Sequence, residues 1–141
     1  MNVKNPVLIG PDSESKQWVS KVAKDAGASF IVLEKTRLGD KKVRISLPQV
    51  DAYKNHTPVL IDDIISTAGT MIETTAHLKK AGMKPPVCIG IHAVFAGNAY
   101  QDLLNAGVED IITCNTIPHK SNRIDISKST AVAIGMEIHQ V

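Results

Sequence analysis

Residues 59–70 constrain this chain more than any other part of its sequence. They begin with an apolar run, continue through the adjacent acids Asp62 and Asp63, and end in small residues rich in hydroxyl groups. A helical pattern starts immediately afterwards, at Met71. This pattern predicts a buried strand, an acidic corner, a short loop and a helix N-terminus in direct succession.

The end of this stretch has the composition of an anion-binding loop. A helix N-terminus presents unpaired N–H groups and the positive end of the helix dipole, so it favours an anion. Small residues let the backbone approach that anion closely, and hydroxyl groups can donate to its oxygens. The candidate phosphate-binding residues are Ser66, Thr67, Ala68, Gly69 and Thr70. A plain helix cap, with Ser66 or Thr67 as the N-cap, would use the same residue types.

The two acids before the loop point to a second kind of ligand. Carboxylates are poor partners for a phosphate, but they suit sugar hydroxyls or a Mg²⁺ ion. Two consecutive aspartates at the end of a buried strand also argue against a plain cap, because an unpaired buried carboxylate is costly. Asp62 and Asp63 beside the loop therefore indicate a site for a ribose phosphate.

Strands and helices alternate along the rest of the chain. The predicted strands are residues 7–10, 30–33, 43–47, 59–62, 87–94, 110–114 and 123–126, and the predicted helices are residues 13–26, 71–81, 97–106 and 127–139. Most strands are near-continuous apolar runs, which is typical of a mostly parallel sheet with helices on both faces. The charged residues 34–42 are interpreted as a loop, and residues 51–58 as a polar connection.

Three polar stretches fall at the carboxyl ends of predicted strands, where sheets of this kind bind their ligands. Besides the acid pair and its loop, they include Asp12 after the first strand and Lys35 and Arg37 after the second. Asp12 is either a Mg²⁺ ligand or the N-cap of the next helix. Lys35 and Arg37, spaced i and i+2, point the same way on an extended chain and could neutralise a phosphoryl group. The alternative for this pair is a solvated charged loop.

Composition limits the function classes. The chain has 141 residues, enough for one domain with a core, and its 43% hydrophobic and 21% charged content is ordinary for a globular protein. No apolar run is long enough to span a membrane. A net charge of +2 without a block of Lys and Arg gives no indication of nucleic-acid binding. The first strand is predicted to begin at Val7, so we expect no other element of this domain before it.

The cysteines and histidines add little to a site. Cys88 and Cys114 lie in apolar strands and are interpreted as buried thiols in a reducing compartment. His92, also in a strand, is assigned a supporting role. The remaining histidines show no metal-ligand spacing and are predicted to be surface residues; they are His56, His77, His119 and His139.

Several of these stretches resemble one family. Residues 59–70 resemble the phosphoribosyl pyrophosphate (PRPP) loop of type I phosphoribosyltransferases and PRPP synthetases. Gly10-Pro11-Asp12 is similar to the Ser-Pro-Asp of PRPP synthetases, and Lys35-Thr36-Arg37 to the Lys-Arg-Arg of their catalytic loop. Residues 91–97 and 114–118 resemble two further segments of the same family. One departure stands at residues 13–15, Ser-Glu-Ser, where the family usually carries two glycines.

The resemblance implies that residues 1–141 form a single phosphoribosyltransferase-like domain, the C-terminal half of a two-domain ribose-phosphate pyrophosphokinase. That enzyme transfers a diphosphoryl group from ATP to ribose 5-phosphate, giving PRPP and AMP. In the family pattern Asp12 is associated with Mg²⁺, Lys35 and Arg37 are catalytic, and Arg37 also contacts ribose 5-phosphate together with the acid pair and the loop.

The resemblance also implies what this half lacks. Most of the ATP site and a metal-binding histidine would lie in the other domain, a neighbouring subunit of a homo-oligomer would complete the ATP site, and the enzyme would be cytoplasmic. Two alternatives stay open. One is a phosphoribosyltransferase that consumes PRPP, and the other is a non-catalytic regulatory homologue of PRPP synthetase.

Overall fold

A computed structural model of the chain describes residues 3–38, 42–47 and 49–138, without the side chains of residues 36–38, 42–45 and 136–138. Within those ranges the strands are β1 (Pro6–Gly10), β2 (Ser29–Val32), β3 (Glu34–Leu38), β4 (Lys42–Ser46), β5 (Thr57–Ile65), β6 (Val87–Ala93), β7 (Asp110–Cys114) and β8 (Asn122–Ile124). The helices are α1 (Lys16–Ala26), α2 (Gly69–Lys80), α3 (Ala99–Asn105) and α4 (Ser127–Ile138), with a 3-10 turn at Val50–Tyr53.

The core of the fold is a six-stranded parallel sheet in the order β2-β1-β5-β6-β7-β8. Strand β5 is central, and its neighbours pair with it at Leu8↔Val59 and Leu60↔Cys88. Because the strands are parallel, their carboxyl ends lie along one edge of the sheet. The polar stretches after β1 and at the end of β5 are therefore neighbours.

Helices cover both faces of this sheet, as expected for a parallel sheet built from apolar strands. Helix α1 packs Val19 and Ala23 on one face, against Leu8, Val59 and Ile61. Helices α2 and α3 cover the other face; their core side chains and those of the strands beneath them include Met71, Leu78, Leu103, Ile9, Leu60, Cys88 and Ile111. The predicted fold class, a mostly parallel sheet with helices on both faces, is confirmed.

Glycine in β6 shows how tightly the sheet packs near the carboxyl edge. A Cβ added to Gly90 would lie 2.6 Å from Cδ1 of Ile65, the last residue of β5. Ile65 is 2% exposed, so its side chain fills the space that Gly90 leaves open. The end of β5 is thus held in the core immediately before the predicted phosphate loop.

Three expectations about local structure were wrong. The segment predicted as a charged loop contains β3, which pairs with β4 in an antiparallel two-stranded sheet that satisfies its backbone groups without a strongly apolar pattern. Strand β5 does not end at the acid pair, because its pairing with β6 continues through Ile64↔His92 and Ile65↔Ala93. The polar connection contains the 3-10 turn, and β5 already begins at Thr57.

The remaining elements follow the prediction more closely. Helix α4 begins at Ser127 as expected, but Val132 is 51% exposed, so the apolar side of the helix is not part of the described core. His139 lies outside the described residues. Cys88 and Cys114 are buried free thiols, and burial raises the pKa of each, for Cys88 to about 12. None of the described helices is long and apolar enough to cross a membrane.

Candidate functional site

The loop between β5 and α2 leaves a helix N-terminus open. Ala68 precedes the helix in a left-handed conformation, with φ 59° and ψ 10°, and no side chain caps the helix there. The first helical bond runs from the Ile72 N–H to the Ala68 carbonyl, at 2.9 Å. The N–H groups of Gly69, Thr70 and Met71 precede that bond and are available to an anion.

The loop forms a small cup around these N–H groups. The cup has a volume of about 380 Å³ including the space open to solvent, and its lining combines apolar residues with the predicted ligands. The predicted ligands in the lining are Asp62, Ser66, Thr67, Ala68, Gly69 and Thr70. Within the described part of the chain, no side chain or backbone group forms a hydrogen bond with the hydroxyls of Ser66, Thr67 or Thr70. The cup therefore offers both backbone and side-chain donors.

Gly69 is not required by the packing of the protein itself. A Cβ at this position would meet only the Thr67 hydroxyl, at 3.8 Å, which is ordinary contact. The fold would thus accept a side chain at residue 69, and the space above it opens into the cup. This is the arrangement expected where a ligand, and not the protein, approaches the backbone.

The acid pair lies near the carboxyl end of β5, beside the cup. The Asp62 carboxylate accepts a hydrogen bond from the Asp63 N–H at 2.9 Å, and the Asp63 carboxylate accepts one from the Ile64 N–H at 2.9 Å. The pKa of Asp62 is raised to about 6, mainly by partial burial and with smaller contributions from the Asp63 carboxyl and the negative charge of Asp12. Asp63 is exposed. Two carboxylates at one edge of the sheet can accept hydrogen bonds from hydroxyl groups or bind one cation together.

Asp12 closes the turn before α1 and is a neighbour of the acid pair, but it is not the N-cap of that helix, which is Ser15. Its carboxylate accepts a hydrogen bond from the Ser15 N–H at 3.0 Å, and the Ser15 hydroxyl donates to the Asp12 carbonyl at 2.6 Å. The second carboxylate oxygen lies 3.9 Å from the Lys35 ammonium group. Its charge also acts on Asp62, so Asp12, Lys35 and Asp62 converge on one edge of the sheet.

The two predicted cations lie on a strand and not on a loop. Lys35 and Arg37 belong to β3, where Lys35 pairs with Ile45 and Arg37 pairs with Val43 of β4. Lys35 is exposed and contacts Asp12. The side chain of Arg37 lies outside the described side chains, so its role stays a prediction.

His92 connects β6 with the turn after β7. Its Nδ1 lies 2.9 Å from the Thr116 hydroxyl, which itself donates to the Ile91 carbonyl at 2.9 Å. A hydroxyl has one proton to give, so Nδ1 carries the proton of this histidine and donates to Thr116. These bonds tie two neighbouring strand ends together, in keeping with the supporting role expected for His92.

Two groups near the loop were missed from the sequence. The N–H of Phe95 donates to the Ile65 carbonyl at 2.9 Å, and the N–H of Ala96 donates to the Ser66 carbonyl at 3.0 Å. His119, expected on the surface, packs its ring 4.7 Å from that of Phe95. The predicted surface position was also wrong for His56, whose Nδ1 is buried and has no partner among the described residues. Backbone donors leave no trace in residue type, so only the position of Phe95 in the segment resembling the family pointed to this region.

The site thus has two chemically different ends. One is a helix N-terminus with free hydroxyls, which suits a phosphate, and the other is a set of carboxylates with one lysine, which suits sugar hydroxyls or a hydrated divalent ion. A parallel sheet with an anion-accepting loop and a group of carboxylates at its carboxyl edge is the class of protein that this geometry defines.

Comparison with known proteins agrees with this class. The family described as a phosphoribosyl transferase domain matches residues 1–127, and the chain belongs to that family. Within it, the chain is similar to the ribose-phosphate pyrophosphokinase of Sulfolobus acidocaldarius, with 35% identity over 134 residues that cover 92% of this chain and 46% of that protein. A second relative, ribose-phosphate pyrophosphokinase 2 of Archaeoglobus fulgidus, is 37% identical over 91% of this chain and 47% of its own length.

A solved structure supports the same family assignment. The phosphoribosylpyrophosphate synthetase of Mycobacterium smegmatis superposes with a TM-score of 0.75 and 26% identity, over 97% of this chain and 46% of that one. The resemblance predicted from the sequence is therefore confirmed. The chain spans about half the length of the curated relatives it matches.

Proposed function

We propose that this chain is the ribose 5-phosphate-binding half of a ribose-phosphate diphosphokinase. The complete enzyme would transfer the diphosphoryl group of ATP to the C1 hydroxyl of ribose 5-phosphate, yielding PRPP and AMP. The observation that carries the proposal is the uncapped N-terminus of α2, with its unbonded hydroxyls, directly beside the acid pair. The similarity to ribose-phosphate pyrophosphokinases supports the same reaction.

The phosphate end would be the cup of Ser66, Thr67, Ala68, Gly69 and Thr70. Its N–H groups and hydroxyls would bind the 5-phosphate, which needs donors and no counter-charge beyond the helix dipole. Ala68 and Gly69 have small side chains, so the phosphate can reach the backbone.

The ribose end would be formed by Asp62 and Asp63, which would accept hydrogen bonds from the ribose hydroxyls. Asp62 would lose its proton near pH 6, since its pKa is raised to about 6, and would be mostly an acceptor at neutral pH. Because Asp63 is exposed, it can meet a substrate without moving out of the core.

The residues present also fit a Mg²⁺ ion. Asp12 and Asp62 repel each other across the edge of the sheet, and a divalent cation would relieve that repulsion. Among the described residues no cluster of three or more His, Cys, Asp or Glu could hold a metal alone. Mg²⁺ commonly binds through one or two carboxylates together with substrate phosphates and water, so Asp12 would be its main protein ligand. When bound, the ion would offset negative charge between the two substrates.

Lys35 and Arg37 would stabilise the charge that develops on the transferred group. Lys35 already lies beside Asp12, at the edge where that group would stand. Positioning and electrostatic stabilisation suffice for a phosphoryl-type transfer, so no covalent intermediate on the protein is needed. Most of the ATP site would lie outside this domain, and we propose a cytoplasmic homo-oligomer in which a neighbouring subunit completes it.

Binding measurements on this chain test whether ribose 5-phosphate is its ligand. Titration calorimetry should show that ribose 5-phosphate binds more tightly than either inorganic phosphate or ribose, because only it fills both ends. Asp63→Asn should weaken ribose 5-phosphate without changing inorganic phosphate. Asp25→Asn, an exposed aspartate near the end of α1, is the matched control and should change neither. Equal affinity for all three ligands would contradict the proposal.

Activity assays separate the proposal from its alternatives. The chain alone should release no AMP from ATP in the presence of ribose 5-phosphate, because it lacks most of the ATP site. A full-length protein containing it should release AMP, and Lys35→Ala should abolish that activity. Unchanged activity in Lys35→Ala would favour a regulatory role, and turnover of PRPP with a nucleobase would favour a phosphoribosyltransferase.

A further inference from the structure

The phosphate-binding loop is held from outside by the segment after β6. The carbonyls of Ile65 and Ser66, where β5 passes into the loop, accept hydrogen bonds from the N–H groups of Phe95 and Ala96, at 2.9 and 3.0 Å. No hydrogen bond from a loop side chain fixes this part of the backbone within the described residues. These two bonds extend the β5–β6 pairing into the loop and link the start of the loop to Phe95.

Phe95 is in turn fixed by two rings from other elements. The ring of Tyr100, on α3, lies edge-on at 5.2 Å between centroids, and the ring of His119, in the turn between β7 and β8, lies at 4.7 Å. Tyr100 and His119 also contact each other, at 4.9 Å. Such ring pairs have preferred geometries, so three of them together restrict the rotation of each member.

His119 is itself held by a directional chain of hydrogen bonds. Its Nδ1 accepts from the Ser121 N–H at 3.2 Å, so this nitrogen carries no proton, and the Ser121 hydroxyl at 2.7 Å must donate to it. The Ser121 oxygen can then accept from the Thr113 hydroxyl at 2.8 Å, and Thr113 accepts from the Asn122 amide at 2.9 Å. Thr113 and Ser121 are 0% and 2% exposed, so water does not compete for these bonds.

We infer that His119 is a positioning residue for the phosphate-binding loop. Its ring contacts the ring of Phe95, and the backbone N–H of Phe95 bonds the start of the loop. His119 is itself anchored to the buried hydroxyls of β7 and of the turn that follows. The inference rests on the proposed function for its meaning, since the loop is the proposed phosphate site. It assigns to the turn after β7 a part in substrate affinity, although this turn is absent from the lining of the cup.

Hydrogen exchange of the ligand-free chain tests the inference without any substrate. His119→Ala should raise the exchange rate of the amides in residues 64–72 by about five- to tenfold, the equivalent of roughly one lost interaction. Exchange in β1 should stay unchanged. The matched control is His77→Ala, another partly exposed histidine, which lies on α2 with its Nε2 3.8 Å from the Glu73 carboxylate, and it should leave the loop unchanged. Unchanged loop exchange in His119→Ala overturns the inference.

Two further variants separate the two contacts of the imidazole. His119→Phe keeps a ring beside Phe95 but removes the acceptor for Ser121, and its loop exchange should lie between wild type and His119→Ala. His119→Asn keeps an acceptor near Nδ1 and loses the ring contacts, so it should resemble His119→Ala. If His119→Ala does not fold, these two variants test the inference in its place. Loop exchange rates equal to those of wild type in both variants would overturn it.

Affinity for ribose 5-phosphate supplies the second measurement. His119→Ala should weaken it by about five- to tenfold, and His77→Ala should not. If the wild-type chain does not bind ribose 5-phosphate, the proposed function fails, while the exchange rates still decide whether His119 positions the loop. If wild type binds and His119→Ala binds equally well, the positioning role is wrong and the proposed function stands.

Discussion

Two corners of this fold lie at the same edge of the sheet and join a buried parallel strand to a helix. The β1–α1 corner is formed by residues 11–15, and the β5–α2 corner by residues 66–68. At the β1–α1 corner the polar groups bond one another, with the Ser15 N–H on the Asp12 carboxylate and the Ser15 hydroxyl on the Asp12 carbonyl. Neither helix has a side-chain cap at its N-cap residue, but at the β5–α2 corner the hydroxyls of Ser66 and Thr67 have no partner within the described residues.

The glycines of the two corners differ in the same way. A Cβ on Gly10 would lie 2.5 Å from the Ser15 hydroxyl oxygen and 2.8 Å from a methyl group of Val19, so the protein itself occupies that space. A Cβ on Gly69 would meet only the Thr67 hydroxyl, at 3.8 Å. One glycine serves the packing of a helix on a strand, and the other leaves room for something from outside.

This difference separates a corner filled by the protein's own side chains from a corner that is open to a ligand. Both have the small and polar residues of a strand-to-helix turn, and both resemble segments of the same family. The hydroxyls of the β5–α2 corner, unlike the hydroxyl of Ser15, have no partner within the described residues and are available to a ligand. The second carboxylate oxygen of Asp12 lies near Lys35, so in the proposed site Asp12 would act from the closed corner.

The largest expected effect is the loss of stability in Gly10→Ala. The added methyl group would force Ser15 and Val19 away from β1, and overpacking of this kind typically destabilises by about 1–3 kcal/mol. Urea unfolding followed by circular dichroism measures the change. A Gly10→Ala protein as stable as wild type would mean that α1 can shift freely on β1.

Gly69→Ala should show the opposite behaviour. The free energy of unfolding should change by less than about 0.5 kcal/mol, because the fold offers room at this position. The affinity for ribose 5-phosphate should fall about tenfold or more, since the methyl group would stand where the phosphate approaches the helix N-terminus. Calorimetry on the same preparation tests both parts, and unchanged affinity would remove the distinction between the two corners.

The parts of the fold that the sequence predicted are those with a strong local pattern. Continuous apolar runs identified the parallel strands. Because the carboxyl ends of parallel strands share one edge of the sheet, the sequence also predicted that Asp12 and Asp62 are neighbours. Strand β4 was predicted as residues 43–47, but β3 escaped prediction because it pairs with β4 and needs no apolar face. The link from His119 to the loop escaped because it runs through backbone N–H groups and ring contacts between distant segments.

The acid pair gives a prediction about pH. The pKa of Asp62 rises from its ordinary 3.8 to about 6 in the folded chain, mainly because burial disfavours its charge. Between these two values the folded state binds more protons than the unfolded state, so this residue lowers stability as the pH rises from 3.8 to about 6. Asp62→Asn should therefore stabilise the protein at pH 7 by about 1 kcal/mol, after allowance for solvent screening of a half-buried group.

Unfolding curves between pH 4 and pH 7 check this prediction, and wild type should lose more stability over that range than Asp62→Asn. Asp25→Asn again serves as the control, because its carboxylate is exposed and far from the acid pair. If Asp62→Asn and wild type show the same dependence on pH, burial does not raise the pKa of Asp62. The same variant should also bind ribose 5-phosphate less well at pH 7, where the native carboxylate is charged.

The smallest expected effect concerns Ala68, whose backbone is left-handed at φ 59°. A left-handed backbone costs a residue with a Cβ about 1–2 kcal/mol, which glycine would recover. Glycine would lose about 0.5–1 kcal/mol through its greater freedom in the unfolded chain. Loss of the buried methyl group would remove up to about 0.8 kcal/mol more. At the middle of these ranges the gain and the losses nearly cancel, so Ala68→Gly should change stability by less than about 1 kcal/mol. Ala23→Gly, at a buried position of α1, should destabilise by about 1–2 kcal/mol, because it suffers the same losses without relief of a left-handed backbone. Equal losses in the two variants, measured by urea unfolding, would show that the β5–α2 corner holds Ala68 without strain.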